Sequence, residues 1–374
     1  MPEGSPKGAS GKWAGRKPRL YILTEGAKQN EEKDMPEKAV RIGVIGVGTQ
    51  GTRHIECFRQ IPRAEVVAAA DIDQARLKEV CARYEIKAAF TDYHQMVKEA
   101  EMDAVSIVLP DDMHLEPALA AIDAGLDLLV EKPLATKVEE AEAIVKAARE
   151  KGVRLMTNFS NRWQQPVALV KEAYVAGDLG KPVYVYARLS NTLMVPTEMI
   201  RPWVKRTSLP FWLMSHTVDR VRWIYGAEAK KVYGISRSGV LKSMGIDVED
   251  IYLATVEWDN GAFSTFESSW ILPTSLPANI DSKMMFIFTE GAAYFDAQAA
   301  MMEMASKERY RIPPMLSTST RGRIQGFVIE ALRHFVDSVA ERKELGPSGE
   351  DGLAVCRITS AIVESAQKGK AIEL

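Results

Sequence analysis

The run Arg41-Ile42-Gly43-Val44-Ile45 passes directly into Gly46-Val47-Gly48-Thr49-Gln50-Gly51, and this passage limits what the chain can fold into more than any other. A short Val- and Ile-rich run without proline reads as a buried strand, and helical character follows the glycines at once. Gly46 permits the tight turn, Gly48 lets the backbone come close to a pyrophosphate, and Gly51 lets the helix pack on the strand. Free N–H groups of Thr49, Gln50 and Gly51 at the helix start would then face the anion. A lone glycine triplet is weak evidence, but Asp71 lies at the end of a second apolar run, Val66-Val67-Ala68-Ala69-Ala70, at the spacing where a carboxylate accepts from ribose hydroxyls. The pair predicts a dinucleotide cleft. Asp71 would repel a 2′-phosphate, which points to NAD rather than NADP, and Ile72 follows it at the same strand end.

At 374 residues the chain is too long for one ordinary core and suggests two or three domains. Its 48 basic and 50 acidic residues give a net charge of −2, so no global field recruits nucleic acid or an anionic membrane. A small-molecule ligand is expected instead. Cys57, Cys81 and Cys356 are few, odd in number and far apart, which argues against a disulfide framework and for a reducing cytoplasm. No stretch reaches the roughly eighteen apolar residues of a membrane span, and no metal-ligand spacing stands out.

Residues 1–38 are rich in Gly, Pro, Lys and Glu, a composition that stays loose, although the patch Leu20-Tyr21-Ile22-Leu23 could dock on the body or on a neighbouring subunit. From 39 to 157 strand-like segments (41–47, 65–70, 104–109, 127–130, 153–157) alternate with helix-like ones (50–60, 73–83, 115–124, 138–150). That alternation predicts an α/β doubly wound parallel sheet, a Rossmann domain. From 158 to 374 the pattern changes. Segments 182–190, 251–258 and 262–270 alternate with period two, Asp259-Asn260-Gly261 is a hairpin signal, and 284–289 pairs with 292–295 across Glu290-Gly291. Two late helices, about 325–341 and 349–367, follow; the second opens on a capping box of Ser348 and Asp351. The second domain is therefore α+β with a mostly antiparallel sheet.

In open parallel sheets ligands lie beyond the carboxyl ends of the strands. One such end continues as Leu109-Pro110-Asp111-Asp112-Met113-His114 and another as Glu131-Lys132-Pro133. The prolines stop the strands and stiffen both loops. His114 reads equally as a cofactor contact or as the start of the next helix. Lys132 reads as functional, because a cation beside an apolar strand end near the cleft needs a reason. Later, Val218, Val221 and Ile224 recur at helical spacing toward Gly226, which places His216 and Asp219 on one face near a helix start. They could be a base and its orienting partner, or both could contact sugar hydroxyls; equally, Asp219 could simply pair with Arg220 or Arg222.

The glycine loop, Asp71-Ile72-Asp73, Glu131-Lys132-Pro133 and Ser215-His216-Thr217-Val218-Asp219 with Arg222-Trp223 together resemble the glucose-fructose oxidoreductase / inositol dehydrogenase / rhizopine-catabolism (Gfo/Idh/MocA) oxidoreductase family over residues 39–374. The resemblance implies a Rossmann domain, an open-faced α+β domain, a nicotinamide cofactor and a pyranose, cyclitol or related polyol as substrate. It implies that Lys132 touches the reacting oxygen, that His216 is catalytic, and that the exposed sheet face makes a homodimer or homotetramer. Asn161-Arg162-Trp163 resembles a motif near the family's pocket, which puts Arg162 and Trp163 among candidate substrate contacts with Asp219.

One departure stands out. Many dehydrogenases of the family carry an aspartate four residues before the histidine, where this chain has Trp212, and a glycine at the place of Met214. Tryptophan neither orients nor accepts a proton, so Asp219 would take over or the proton would go elsewhere. The expected activity is hydride transfer between nicotinamide and a secondary alcohol, with Lys132 stabilising charge on the oxygen and His216 relaying the proton. Two alternatives stay open: redox-assisted sugar epimerisation or glycoside cleavage with recycled NAD, and a non-catalytic dinucleotide-binding protein.

Overall fold

The computed structural model describes residues 39–276, 278–297, 301–306, 310–311, 317–320 and 323–374. The expected loose extension, residues 1–38, lies outside the described residues.

The first half alternates β1 (Val40–Ile45), α1 (Thr49–Phe58), β2 (Ala64–Ala70), α2 (Gln74–Tyr84), β3 (Ala88–Phe90), α3 (Tyr93–Glu99), β4 (Ala104–Ile107), α4 (Leu115–Asp123), β5 (Asp127–Val130), α5 (Val138–Lys151) and β6 (Leu155–Thr157). The strands form one parallel sheet in the order β3-β2-β1-β4-β5-β6. The order reverses between β1 and β4, where open α/β sheets form their ligand crevice. β3 and α3 were not foreseen, because Ala88–Phe90 is too short to show a period. Asp73 caps α2 by accepting from the Arg76 N–H, and Gly152 closes α5 in the left-handed region.

Register makes the strand ends a platform. Ile45 pairs with Ala70 and with Ile107, Ile107 with Val130, and Val130 with Thr157. The backbone ladder then runs one residue further, from Gly46 N to Ala70 O at 2.8 Å, Glu131 N to Ile107 O at 3.0 Å and Asn158 N to Val130 O at 2.8 Å. Gly46, Asp71, Glu131 and Asn158 are thereby fixed by the sheet rather than by loose loops.

The second half comprises α6 (Gln165–Val175), β7 (Pro182–Asn191), α7 (Ser215–Tyr225), β8 (Ala229–Arg237), the short α8 (Val240–Ser243), β9 (Ile251–Trp258), β10 (Phe263–Ser269), β11 (Ile280–Phe288), β12 (Gly291–Asp296), β13 (Met301–Ser306), β14 (Tyr310–Arg311), β15 (Ser317–Thr320), β16 (Arg323–Gly326), α9 (Phe327–Ala340), α10 (Gly349–Lys368) and β17 (Ile372–Glu373). Nine of these strands make one sheet in the order β14-β13-β12-β11-β7-β10-β9-β8-β17, antiparallel except where β7 meets β10. Alternation along β7 buries Val185, Ala187 and Leu189 with Val218, Val221 and Ile224 of α7. The opposite face leaves Tyr233, Ile235, Leu253, Phe263 and Tyr294 exposed.

The last two helices, which follow the second sheet in the chain, also pack on the first sheet's core. Ile329, Leu332, Phe335 and Val336 of α9 are buried with Ile42, Ile55 and Phe58 of the first sheet's core. Cys356 of α10 packs with Ile144 and Leu134, its thiol reaching the Ala135 carbonyl at 3.3 Å. The chain thus returns to its N-terminal core, a long-range choice that local periodicity does not carry.

Candidate active site

At the glycine turn the three positions differ in surroundings. Gly46 has φ of 86°, and a Cβ there would lie 2.2 Å from the Val108 carbonyl oxygen. A Cβ on Gly51 would lie 1.9 Å from the Gly46 oxygen, whereas one on Gly48 would meet nothing within 4 Å. So Gly46 and Gly51 serve the turn, and Gly48 borders open space. Gly48 caps α1 with no side-chain bond and no acidic residue in the first turn, so the N–H groups at Thr49, Gln50 and Gly51 keep the helix's positive end toward that space. This cradle fits a pyrophosphate.

Asp71 is held at the end of β2: its carboxylate accepts from Val47 N–H and Asp73 N–H, each at 2.9 Å. Arg76, which sequence reasoning overlooked, approaches the same carboxylate at 3.3 Å and Asp73 at 3.0 Å. Ile72 projects its side chain outward, 88% exposed, as an apolar surface beside the carboxylate.

The loops after β4 and β5 are tied together. The ring of buried His114 lies between two carbonyl oxygens, that of Pro133 at 2.9 Å from Nδ1 and that of Leu109 at 3.1 Å from Nε2, and its N–H donates to the one it faces, so it sits as a strut between the Leu109-Pro110 and Lys132-Pro133 segments. Below it lies a polar cluster that sequence reasoning missed. His54 on α1 bonds Ser106 Oγ at 2.9 Å and Glu131 Oε1 at 3.0 Å, and Asn158 donates to the same Glu131 oxygen at 2.6 Å. Burial pushes the Glu131 carboxyl up, but the His54 hydrogen bond, the His54 and Lys132 charges and Asn158 outweigh it and bring it down to about 2. A carboxylate ending an apolar strand was the available signal, since such a group needs a donor. Glu131 Oε2 then accepts from the Lys132 N–H at 3.2 Å, fixing the backbone of the lysine.

Lys132 is 9% exposed. Its Nζ donates to the Trp212 carbonyl at 3.3 Å and stands 4.4 Å from the centre of the Trp212 ring. Trp212 lies in a π-helical turn, Pro210–Met214, that runs straight into α7 and so into His216. Its indole N–H reaches Asn191 Oδ1 at 3.2 Å, and its ring meets Trp203 edge to face at 5.3 Å. His216, partly buried, has its Nδ1 in hydrogen-bond contact with the Asn161 side-chain amide at 3.0 Å. Burial first, then the positive charges of Lys132 and Arg220, hold its imidazole well below the ordinary range. Lys132, in the loop after β5, thereby reaches the turn that leads into α7, and its charge acts on the His216 imidazole.

Arg162 and Asp219, read from the sequence as candidate substrate contacts, pair with each other. The Arg162 guanidinium forks onto Asp219 at 2.6 and 3.0 Å and reaches Asp351 at 3.2 Å, while Arg222 holds the other Asp351 oxygen at 2.5 Å. Asp219 is fully buried, so this network fastens α7 to α10. Trp163 lies against His334 at 5.2 Å and packs on the first core. Among the described residues no group of three His, Cys, Asp or Glu side chains is placed to hold a metal ion, and no helix is long and apolar enough to cross a membrane.

Two family models match the chain: an oxidoreductase family NAD-binding Rossmann fold over residues 40–159, and the C-terminal alpha/beta domain of the same family over 171–374. The scyllo-inositol 2-dehydrogenase (NAD(+)) of Bacillus subtilis is 27% identical over 346 residues, covering 90% of this chain and 97% of that protein. The D-apiose dehydrogenase of Paraburkholderia graminis is 25% identical over 345 residues, 90% of each chain. Among solved structures, levoglucosan dehydrogenase in complex with NADH superposes with a TM-score of 0.80 at 21% identity, over 90% of this chain and 99% of that one. The chain belongs to the Gfo/Idh/MocA oxidoreductase family, whose members carry an NAD-binding Rossmann fold followed by an alpha/beta domain.

Proposed function

We propose that this oxidoreductase is an NAD-dependent dehydrogenase acting on a secondary alcohol of a cyclitol, a sugar or a glycoside. The observation that supports the reading is that Lys132, at the carboxyl edge of the parallel sheet, donates to the Trp212 carbonyl in the turn that leads into the His216 helix. The N–H groups of Thr49, Gln50 and Gly51 would hold the pyrophosphate against Gly48, Asp71 would accept the ribose hydroxyls with Ile72 beside them, and Leu109, Pro110 and Glu131-Lys132 would border the nicotinamide. When bound, that ring supplies the hydride acceptor. Lys132 lies where an ammonium can stabilise charge on a substrate oxygen, and Trp203 and Trp212 give the pocket an apolar wall that suits the carbon face of a ring. Relatives named for inositol, apiose and levoglucosan support the substrate class.

The reading extends to a cytoplasmic homodimer or homotetramer joined through the outer face of the nine-stranded sheet. Five large apolar side chains stand exposed there, from Tyr233 to Tyr294, which supports an interface. The test is a panel of inositols, pyranoses and anhydrosugars with NAD, followed by the absorbance of the reduced nicotinamide. Turnover of one class and a matching thermal shift are expected; NADH binding with no turnover across the panel would leave a dinucleotide-binding protein instead.

A further inference from the structure

Arg220 is a buried cation without an anion to meet it. It lies one turn after His216 on α7 and is 1% exposed. Its Nε donates to the His216 carbonyl at 3.2 Å, and its guanidinium stands 5.7 Å from the centre of the Phe295 ring on β12. Among the described residues no carboxylate pairs with it. The one whose charge reaches it, Asp219, is forked by Arg162. The two terminal amino groups of Arg220 therefore have no acceptor among the described residues. Taking a guanidinium out of water is costly, and an aromatic face offsets only part of that cost. Burial accordingly pulls the group down to about 10, against the charge of Asp219.

The sheet face under α7 carries more groups of this kind. Met284 of β11 pairs with Phe295, and Ser282, two residues along on the same face, is buried with no partner for its hydroxyl. Ser282 pairs with Leu189 of β7. On the other side of β7, Ser268 of β10 follows Glu267, which pairs with Arg188. The Ser268 hydroxyl and the indole N–H of Trp270, two residues further, are buried and unpartnered as well. Asn191, two residues beyond Leu189, receives the indole N–H of Trp212, whose ring lies 4.4 Å from Lys132 Nζ. Arg220 thus stands on the same sheet face that leads, strand position by strand position, to Lys132. Every one of these unpartnered groups can donate a hydrogen bond, and buried donors call for acceptors.

Resting on the dehydrogenase reading, we propose that the substrate is a sugar acid, whose carboxylate is held by the two terminal amino groups of Arg220 while its reacting alcohol lies at Lys132. With Nε engaged by the His216 carbonyl, those amino groups offer one planar fork and a single positive charge. That matches a carboxylate better than the double charge of a phosphate. One helical turn, about 5.4 Å, separates His216 from Arg220, which sets the carboxylate a few bonds from the oxidised carbon. Ser268, Ser282 and the Trp270 indole then serve the hydroxyls between. Arg220 is a specificity residue here and takes no part in moving the proton or the hydride.

The test sets D-glucuronate, D-galacturonate and D-gluconate against their neutral counterparts D-glucose, D-galactose and D-glucitol, by turnover with NAD and by thermal shift of the NADH-bound protein. For at least one pair kcat/KM should favour the acid by about thirtyfold, the factor for one charge-assisted hydrogen bond. Arg220→Met should erase that ratio, and Arg220→Lys should keep part of it. Without any ligand, Arg220→Met should melt no lower than the parent, because no protein carboxylate loses its partner. Neutral sugars used as well as the acids, a preference that survives Arg220→Met, or no acid that binds at all would overturn the proposal. So would stabilisation by inorganic sulfate and by none of the acids, which leaves an adventitious ion only, or an Arg220→Met protein that melts many degrees lower, which makes the arginine structural. Acids that stabilise the parent through Arg220 and are never oxidised would support the carboxylate site and refute the dehydrogenase reading.

Discussion

Adding one methyl group at two places on the same turn separates cofactor binding from folding. At Gly48 the backbone has φ −65°, open to any residue, and the added carbon would touch nothing within 4 Å. Alanine there should leave stability within about 1 kcal/mol, since reduced freedom of the unfolded chain offsets a slightly poorer helix cap. The same methyl stands where the backbone must approach a pyrophosphate. Losing one hydrogen bond to a charged group costs about 2 kcal/mol, which weakens NADH binding about thirtyfold. At Gly51 the carbon would sit 1.9 Å from a backbone oxygen, so Gly51→Ala should cost about 1–3 kcal/mol or more in folding itself. Urea unfolding without cofactor, paired with an NADH fluorescence titration, reads both effects. A Gly48→Ala protein that binds NADH as tightly as its parent would refute the cradle.

Other substitutions probe the supports. His54→Ala removes a donor from buried Glu131 and should destabilise the fold by on the order of 3 kcal/mol at neutral pH. Because the folded carboxyl lies at about 2, below its ordinary value of 4.5, this stabilisation is complete above the unfolded value and lost as pH falls toward 2. The gap between parent and variant should therefore close across that window in acid titrations followed by circular dichroism. Asp219→Ala leaves Arg162 with Asp351 alone and should cost about 3–5 kcal/mol in thermal unfolding. The fraction still folded should keep its substrate KM; a raised KM with unchanged stability would return Asp219 to the substrate.

What the sequence made legible was local. The positive φ at Gly46, the strand that ends at Asp71 and the capping box at Ser348 follow from local sequence pattern, and all three are present in the fold. The amphipathic helix holding His216 was equally plain, although the π-helical turn before it was not. Pairings across the chain stayed hidden. Glu131 finds His54 far upstream, α9 returns to the first core, and Arg162 pairs with Asp219, all chosen by tertiary packing.

Lys132 gives the most direct test, through Lys132→Met, which keeps the stem and removes the amine. Measured on one preparation, kcat should fall by about 10²–10⁴, the usual worth of a positioned acid or base, while the NADH dissociation constant stays within about threefold. Turnover that survives the loss of the amine, or an NADH affinity that collapses with it, would contradict a lysine that acts on the substrate oxygen.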